Sequence, residues 1–173
     1  MTMTPLPIVW QRLVDSQGQT CNRCGTTYES LQRAVAKLKN VLAPLGLEPK
    51  LETKEIRQES FKVDPSASNK IWIAGRSLEE WLGAGVGSSV CCSVCGDSEC
   101  RTLEVGGVVF EAIPEELIIK AALVAAAQVI GTVSEPASSQ TKHASCQPSC
   151  CTDAGQLPTR DRMDEEQGYT LAP

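Results

Sequence analysis

Aromatic residues are scarce in this chain, at 4% of 173 residues, although hydrophobic residues make up 42%. Any core it builds is therefore aliphatic, drawn from Leu, Ile, Val and Ala. Trp10, Trp72 and Trp81 then read as isolated core anchors, not as a stacking platform. Histidine occurs once, as His143, which leaves Ser-His or Cys-His hydrolytic catalysis little support. Positive charge is also in deficit, with a net charge of −5 and a pI near 5.0. No cluster of Lys and Arg could neutralise a phosphate backbone, so nucleic acid is excluded as a partner. Long apolar runs are missing too. The longest, residues 117–130, falls short of the roughly 20 residues a spanning helix needs and carries Lys120 and Gln128. It reads as a core helix, and no membrane is expected. Residues 1–7 lack the positive n-region and apolar h-region of a secretory signal, so a cytoplasmic chain is expected.

What the chain has in abundance is cysteine, nine in all. In a reducing compartment such a number argues for redox chemistry or metal binding over a disulfide framework. An odd count also leaves at least one thiol unpaired within a monomer.

Local patterns order the chain. Residues 7–14 are rich in β-formers and predict a first strand. After a polar loop, Leu31, Ala34, Val35, Leu38, Val41 and Leu42 recur at helical spacing, and Pro44 and Gly46 stop that helix. Residues 51–56 predict a second strand, and 57–69 a polar connection in which Phe61 and Val63 are available for packing. Residues 70–74 make a third strand. Ser77 and Glu80 have the spacing of a capping box, opening a short helix that ends at Gly83. A Gly/Ser-rich loop over 83–89 leads into the densest cysteine segment. Gly106-Gly107 sits between two β-prone runs, 101–105 and 108–113, as a hairpin turn. Pro114-Glu115-Glu116 suits the first turn of the last helix, which ends at Gly131. That helix is apolar nearly all round, so either the core is deep there or a second copy covers it, making a homodimer. Beyond it, residues 132–173 lose periodicity and are expected to be a disordered, Cys-containing tail, leaving 1–131 as the domain, with a Cys-rich insertion over about 83–100.

Three groups of cysteines carry the chemistry. Cys21-Asn22-Arg23-Cys24-Gly25 lies between the first strand and the first helix. A thiol at a helix N-terminus faces unpaired amides and the positive end of the dipole, both of which favour thiolate. Arg23 would add a nearby positive charge. Cys21 is thus the candidate catalytic, attacking thiolate and Cys24 the resolving thiol. Against this, Thr26 and Glu29 form a capping box of their own, which would set Cys21 more than a turn from the dipole. The second group is Cys91, Cys92, Cys95 and Cys100, candidate ligands for a soft ion such as zinc, copper, mercury or arsenic. The third, Cys146, Cys150 and Cys151, would serve a mobile arm that collects or hands over such an ion. C-x-x-C-G also occurs twice, at 21–25 and 92–96, in the manner of zinc knuckles, so a structural zinc, shared by the four knuckle cysteines or held locally within Cys91–Cys100, is the non-enzymatic alternative. An iron–sulfur protein is a third.

A strand, C-x-x-C, an amphipathic helix, further strands, a hairpin and a closing helix resemble the thioredoxin fold over about residues 7–131. The segments SNKIWIAGRSLEEWLGA (68–84) and CCSVCGDSECR (91–101) resemble an uncharacterised thioredoxin-like family. The resemblance implies an α/β fold, a small sheet with flanking helices. Ordinary thioredoxins carry a proline before the third strand, facing the cysteine pair; here Asn69 and Lys70 precede it and Pro65 comes too early. Vicinal Cys91 and Cys92 with a third cysteine nearby are also similar to the arsenic metallochaperone, which has a thioredoxin-like fold. The expected activity is thiol–disulfide exchange or soft-metal and metalloid handling, with a thiol/disulfide partner or a soft metal ion.

Overall fold

A computed structural model describes residues 3–91, 95, 96 and 98–133, which belong to one compact unit spanning Met1–Ala137. The expected tail, with His143, Cys146, Cys150 and Cys151, therefore lies outside the described residues, as does Cys92. Among the described residues the fold is mixed α/β, with two sheets and four helices.

The first sheet contains β1 (Thr4–Leu13), β2 (Leu47–Ile56), β3 (Lys70–Ile73) and β4 (Arg76–Ser77), in the order β2-β1-β3-β4. β1 runs parallel to β2 and antiparallel to β3. A parallel pair needs a crossover, and α1 (Asn22–Leu42) supplies it. Two prolines in a central strand would normally break a ladder. Here β3 pairs only from Ile8 onward, while the Thr4 amide donates toward β2, to the Gly46 carbonyl at 2.8 Å. By alternation, the nitrogens of Pro5 and Pro7 face away from β2, so the β1–β2 ladder loses no bond to them, and on the other side the Ala74 amide, just past the end of β3, donates to the Pro7 carbonyl at 2.9 Å. Leu6, Ile8 and Trp10 alternate into the core.

Of the apolar stripe of α1, Leu31, Ala34, Val35, Leu38 and Leu42 are buried as their spacing predicts, whereas Val41 is 54% exposed. The helix begins earlier than the stripe, at Asn22. It packs on β2 and on α4 (Glu115–Val133). α4 turns Ile118, Ala121, Ala122, Ala125 and Ala126 inward, small residues that allow close approach, and leaves Leu123 and Val124 40% and 41% exposed. It continues past Gly131 to Val133. Glu115, at its start, pairs with Arg33 at 3.0 Å and Lys37 at 2.6 Å on α1.

The 57–69 connection is more ordered than a polar loop. It holds α2 (Gln58–Val63), where Phe61 is fully buried and Val63 88% exposed, and a 3-10 turn at Pro65–Ala67. The Ser77/Glu80 capping box forms in both directions at the start of α3 (Leu78–Leu82), and Gly83 ends the helix in the left-handed region. Trp10 is a core anchor, stacked on Tyr28 at 5.1 Å. Trp72 and Trp81 are only partly buried, each under a cation, Lys70 and Arg76 respectively.

The second sheet is β5-β6-β7, from β5 (Gly85–Val90), β6 (Glu99–Val105) and β7 (Val108–Phe110). The Gly106-Gly107 hairpin is as expected, with both glycines at positive φ. The Gly/Ser stretch, by contrast, is a strand. It lacks the hydrophobic alternation that would announce one and is held by its partner: Gly87 opposes Thr102, whose Oγ1 lies 2.9 Å from where a Cβ would sit. The Cys-rich insertion is thus built on this sheet, with Cys91 just past the end of β5 and Cys100 in β6.

A five-cysteine cluster as the candidate functional site

The loop after β1 is tied down before it delivers the first cysteine. Asp15 Oδ1 accepts the amides of Gln17 and Gln19, both at 2.8 Å, and Thr20 Oγ1 donates to the Leu13 carbonyl at 2.8 Å. Cys21 then occupies the N-cap of α1, in extended conformation, and the Gly25 amide closes the first helical turn on its carbonyl at 2.9 Å. The helix does not start at Thr26. Cys21 therefore sits at the positive end of the dipole.

Cys24 lies one turn further, buried, with its sulfur 3.7 Å from Ser68 Oγ. Ser68 is itself buried just before β3, and its Oγ accepts the Leu13 amide at 3.1 Å. Its neighbour Asn69 takes a positive φ of 54° and accepts the Trp10 indole N–H on Oδ1 at 3.2 Å. Nothing in the composition singled out Ser68; its place immediately before the third strand was the available signal.

Arg23 does something other than charge Cys21. Its guanidinium donates to Ser89 Oγ at 2.8 Å and the Val90 carbonyl at 2.6 Å, and pairs with Glu111 at 2.7 Å. It clamps the first turn of α1 to the end of β5, one residue before Cys91. A second clamp, buried Arg101, pairs with Glu79 at 2.7 Å and donates to the Ser66 carbonyl at 3.4 Å. These ties link the insertion to the first-sheet elements.

The two cysteine groups that the sequence separates thereby become one cluster. The sulfurs of Cys21, Cys91 and Cys95 all lie within 4.8 Å of one another. Cys100 Sγ is 2.8 Å from Cys95 Sγ. Cys21, Cys24, Cys95 and Cys100 are buried and Cys91 is partly exposed, and all five are thiols outside any disulfide. Among these sulfurs Cys21 is the one whose ionised form its neighbours favour. The thiol of Cys100, then that of Cys24, donates to Cys21 and holds it far below the ordinary thiol range, against the opposing effect of burial. The donors move the other way. Cys24 is raised first by donating to Cys21 and then by burial; Cys100 is raised for the same two reasons in the same order; Cys95 is raised chiefly by burial.

A metal ion bonded to sulfur at about 2.3 Å in tetrahedral geometry places its ligands about 3.8 Å apart. The three-sulfur group is compatible with that after small adjustments. Among the described residues it contains sulfur alone, the donor set preferred by soft ions. Cys24 and Cys100 flank this group without belonging to it, and the two-knuckle zinc site cannot be traced because Cys92 lies outside the described residues.

The family model described as "Domain of unknown function (DUF2703)" matches residues 6–122, a span that includes all five of these cysteines. A relative from Archaeoglobus fulgidus, described as an uncharacterized protein, is 46% identical over 113 residues, covering 65% of this chain and 82% of the relative. No solved structure matches.

Proposed function

The chain belongs to the DUF2703 family, whose function is unknown, and from the geometry of its thiols we propose that it handles soft metal or metalloid ions, taking them up on Cys21, Cys91 and Cys95. The observation that carries this reading is the approach of those three sulfurs to within 4.8 Å, from two parts of the chain some 70 residues apart. The Cys21 thiol, whose pKa its neighbours lower, gives up its proton to an incoming ion more readily than an ordinary thiol. The partly exposed Cys91 gives it a way in.

A thioredoxin-like framework underlies the proposal. The strand order β2-β1-β3-β4, with β1 parallel to β2 and antiparallel to β3, and C-x-x-C at the start of the crossover helix support it. The same features favour a second reading, thiol–disulfide exchange, in which Cys21 attacks a partner disulfide and Cys24, one helical turn away, resolves the mixed disulfide. A homodimer over α4 would cover the half-exposed Leu123 and Val124.

Titration of the reduced full-length protein with Zn²⁺, Hg²⁺ or arsenite, followed by ultraviolet thiolate-to-metal absorption, tests the first reading. One ion per chain is expected. Cys21→Ser, Cys91→Ser and Cys95→Ser should each weaken binding by at least about tenfold, the loss that even an outer-shell change produces. Failure of the reduced protein to retain any of these ions would leave disulfide exchange as the better reading.

A further inference from the structure

Cys95 and Cys100 stand in a relation that ion binding does not require. Their sulfurs are 2.8 Å apart, both residues are buried (1% and 4% exposed), yet only Cys95 belongs to the three-sulfur group. The chain folds back between them: the Ser98 amide donates to the Cys95 carbonyl at 3.4 Å, and Gly96 supplies a φ of +63°. Cys100 is fixed in β6 opposite Ser89. Joining two sulfurs already this close, across a turn already made, asks for little backbone movement.

We propose that this pair is a redox device for unloading the site: oxidation to a Cys95–Cys100 disulfide withdraws the Cys95 ligand and releases the ion. The inference rests on the soft-ion reading above. Thiolate is the ligand form of cysteine, so Cys95 cannot hold an ion and a disulfide at once. The oxidant is a low-molecular-weight disulfide, RSSR. The partly exposed Cys91 thiolate attacks one of its sulfurs and expels RS⁻. Cys95, whose sulfur lies within 4.8 Å, displaces the second RS⁻ from Cys91. Cys100 then attacks the Cys95 sulfur and returns Cys91 as thiolate. The net change oxidises two protein thiols by two electrons and reduces RSSR to two RSH, which take up the two protons. The RSH formed is also a ligand for the departing ion.

The test uses the reduced, full-length protein loaded with Zn²⁺ and treated anaerobically with oxidised glutathione. Zinc release is read with a chromogenic indicator, and the remaining thiols are mapped by differential alkylation after denaturation and by mass spectrometry. The expected result is zinc release in step with loss of Cys95 and Cys100 as alkylatable thiols, while Cys91 stays alkylatable at the end point. Cys100→Ser, compared with the zinc it holds before oxidant, should keep most of it over the time in which the wild type empties. Should that variant fail to fold, the wild-type correlation between release and the mapped pair decides alone. Zinc leaving with the disulfide at another pair, such as Cys21–Cys24 or Cys91–Cys95, overturns the inference. So does zinc that stays bound after Cys95–Cys100 has formed. A reduced protein that loads no zinc, mercury or arsenite at all fails earlier, and overturns the soft-ion reading together with this one.

Discussion

Cys21 owes its state to neighbours more than to its own segment. The N-cap position contributes the dipole and open amides, but the leading cause of its depressed pKa is the Cys100 thiol, followed by Cys24. Arg23, the nearest cation in sequence, is committed to Ser89, Val90 and Glu111. Alkylation of Cys21 in reduced, metal-free protein should therefore hold its plateau across neutral pH and fall only in acid. Removing the principal donor with Cys100→Ser should move the midpoint up toward the roughly 8.5 of an ordinary thiol. Cys24 and Cys100, raised as donors, should be alkylated far more slowly than Cys21 at neutral pH. Isotope-coded alkylation at stepped pH, read per cysteine by mass spectrometry, checks all three. A Cys21 midpoint at or above roughly 8.5 in the wild type would mean the thiol network does not form as described.

Elements are joined by a few polar ties laid over aliphatic packing. α1 and α4 pack on each other, α1 burying Leu31, Ala34 and Leu38 and α4 burying Ala121, Ala122 and Ala125, and the tie between them is Glu115 with Lys37 and Arg33. The Lys37 hydrogen bond is the first cause of Glu115's lowered pKa, with the Arg33 hydrogen bond lowering it further. A carboxyl whose folded pKa lies below its unfolded value contributes stability above the unfolded pKa of about 4.3, and loses it as pH falls through the folded value. Melting temperatures of wild type and Glu115→Gln should accordingly differ at neutral pH, with the variant less stable, and converge in acid below about pH 4. Curves that stay parallel down to acid would show that the carboxylate charge contributes nothing to the docking of α4.

At the scale of the whole molecule, the question is whether an ion holds the fold or the fold holds the ion. The core residues Leu6, Ile8, Trp10, Leu31, Leu38, Ile71, Ile73 and Ile118 are at most 1% exposed. Full burial contributes roughly 1.5–3 kcal/mol for each aliphatic side chain of this size. Such a core needs no metal staple. Melting temperature with and without a strong chelator should be nearly the same, and Cys95→Ser should abolish ion uptake while leaving a cooperative transition. A structural zinc would behave differently, because apparent binding energies of roughly 10–16 kcal/mol become folding energy in zinc-dependent domains. One tightly held zinc per chain, with collapse on its removal, would place the scaffold reading first.

Much of the fold was legible in local pattern: the β-formers of β1, the stripe of α1, the Ser77/Glu80 capping box, the Gly106-Gly107 turn and the apolar last helix. Each is a short-range property, set by side-chain periodicity or by the φ that a residue can adopt. The same reasoning missed β5, because Gly85, Gly87, Ser88 and Ser89 have no strand pattern of their own and are ordered by pairing with β6. It also missed α2, six residues whose one buried anchor is Phe61. By itself the sequence singled out the cysteines and placed Cys21 and Cys24 between the first strand and the first helix, leaving the start of that helix open between Cys21 and Thr26. Only the tertiary structure decided that Cys91, Cys95 and Cys100 converge on Cys21. Proximity between residues some 70 positions apart comes from sheet pairing and from the Arg23 and Arg101 clamps, and neither leaves a periodic trace along the chain.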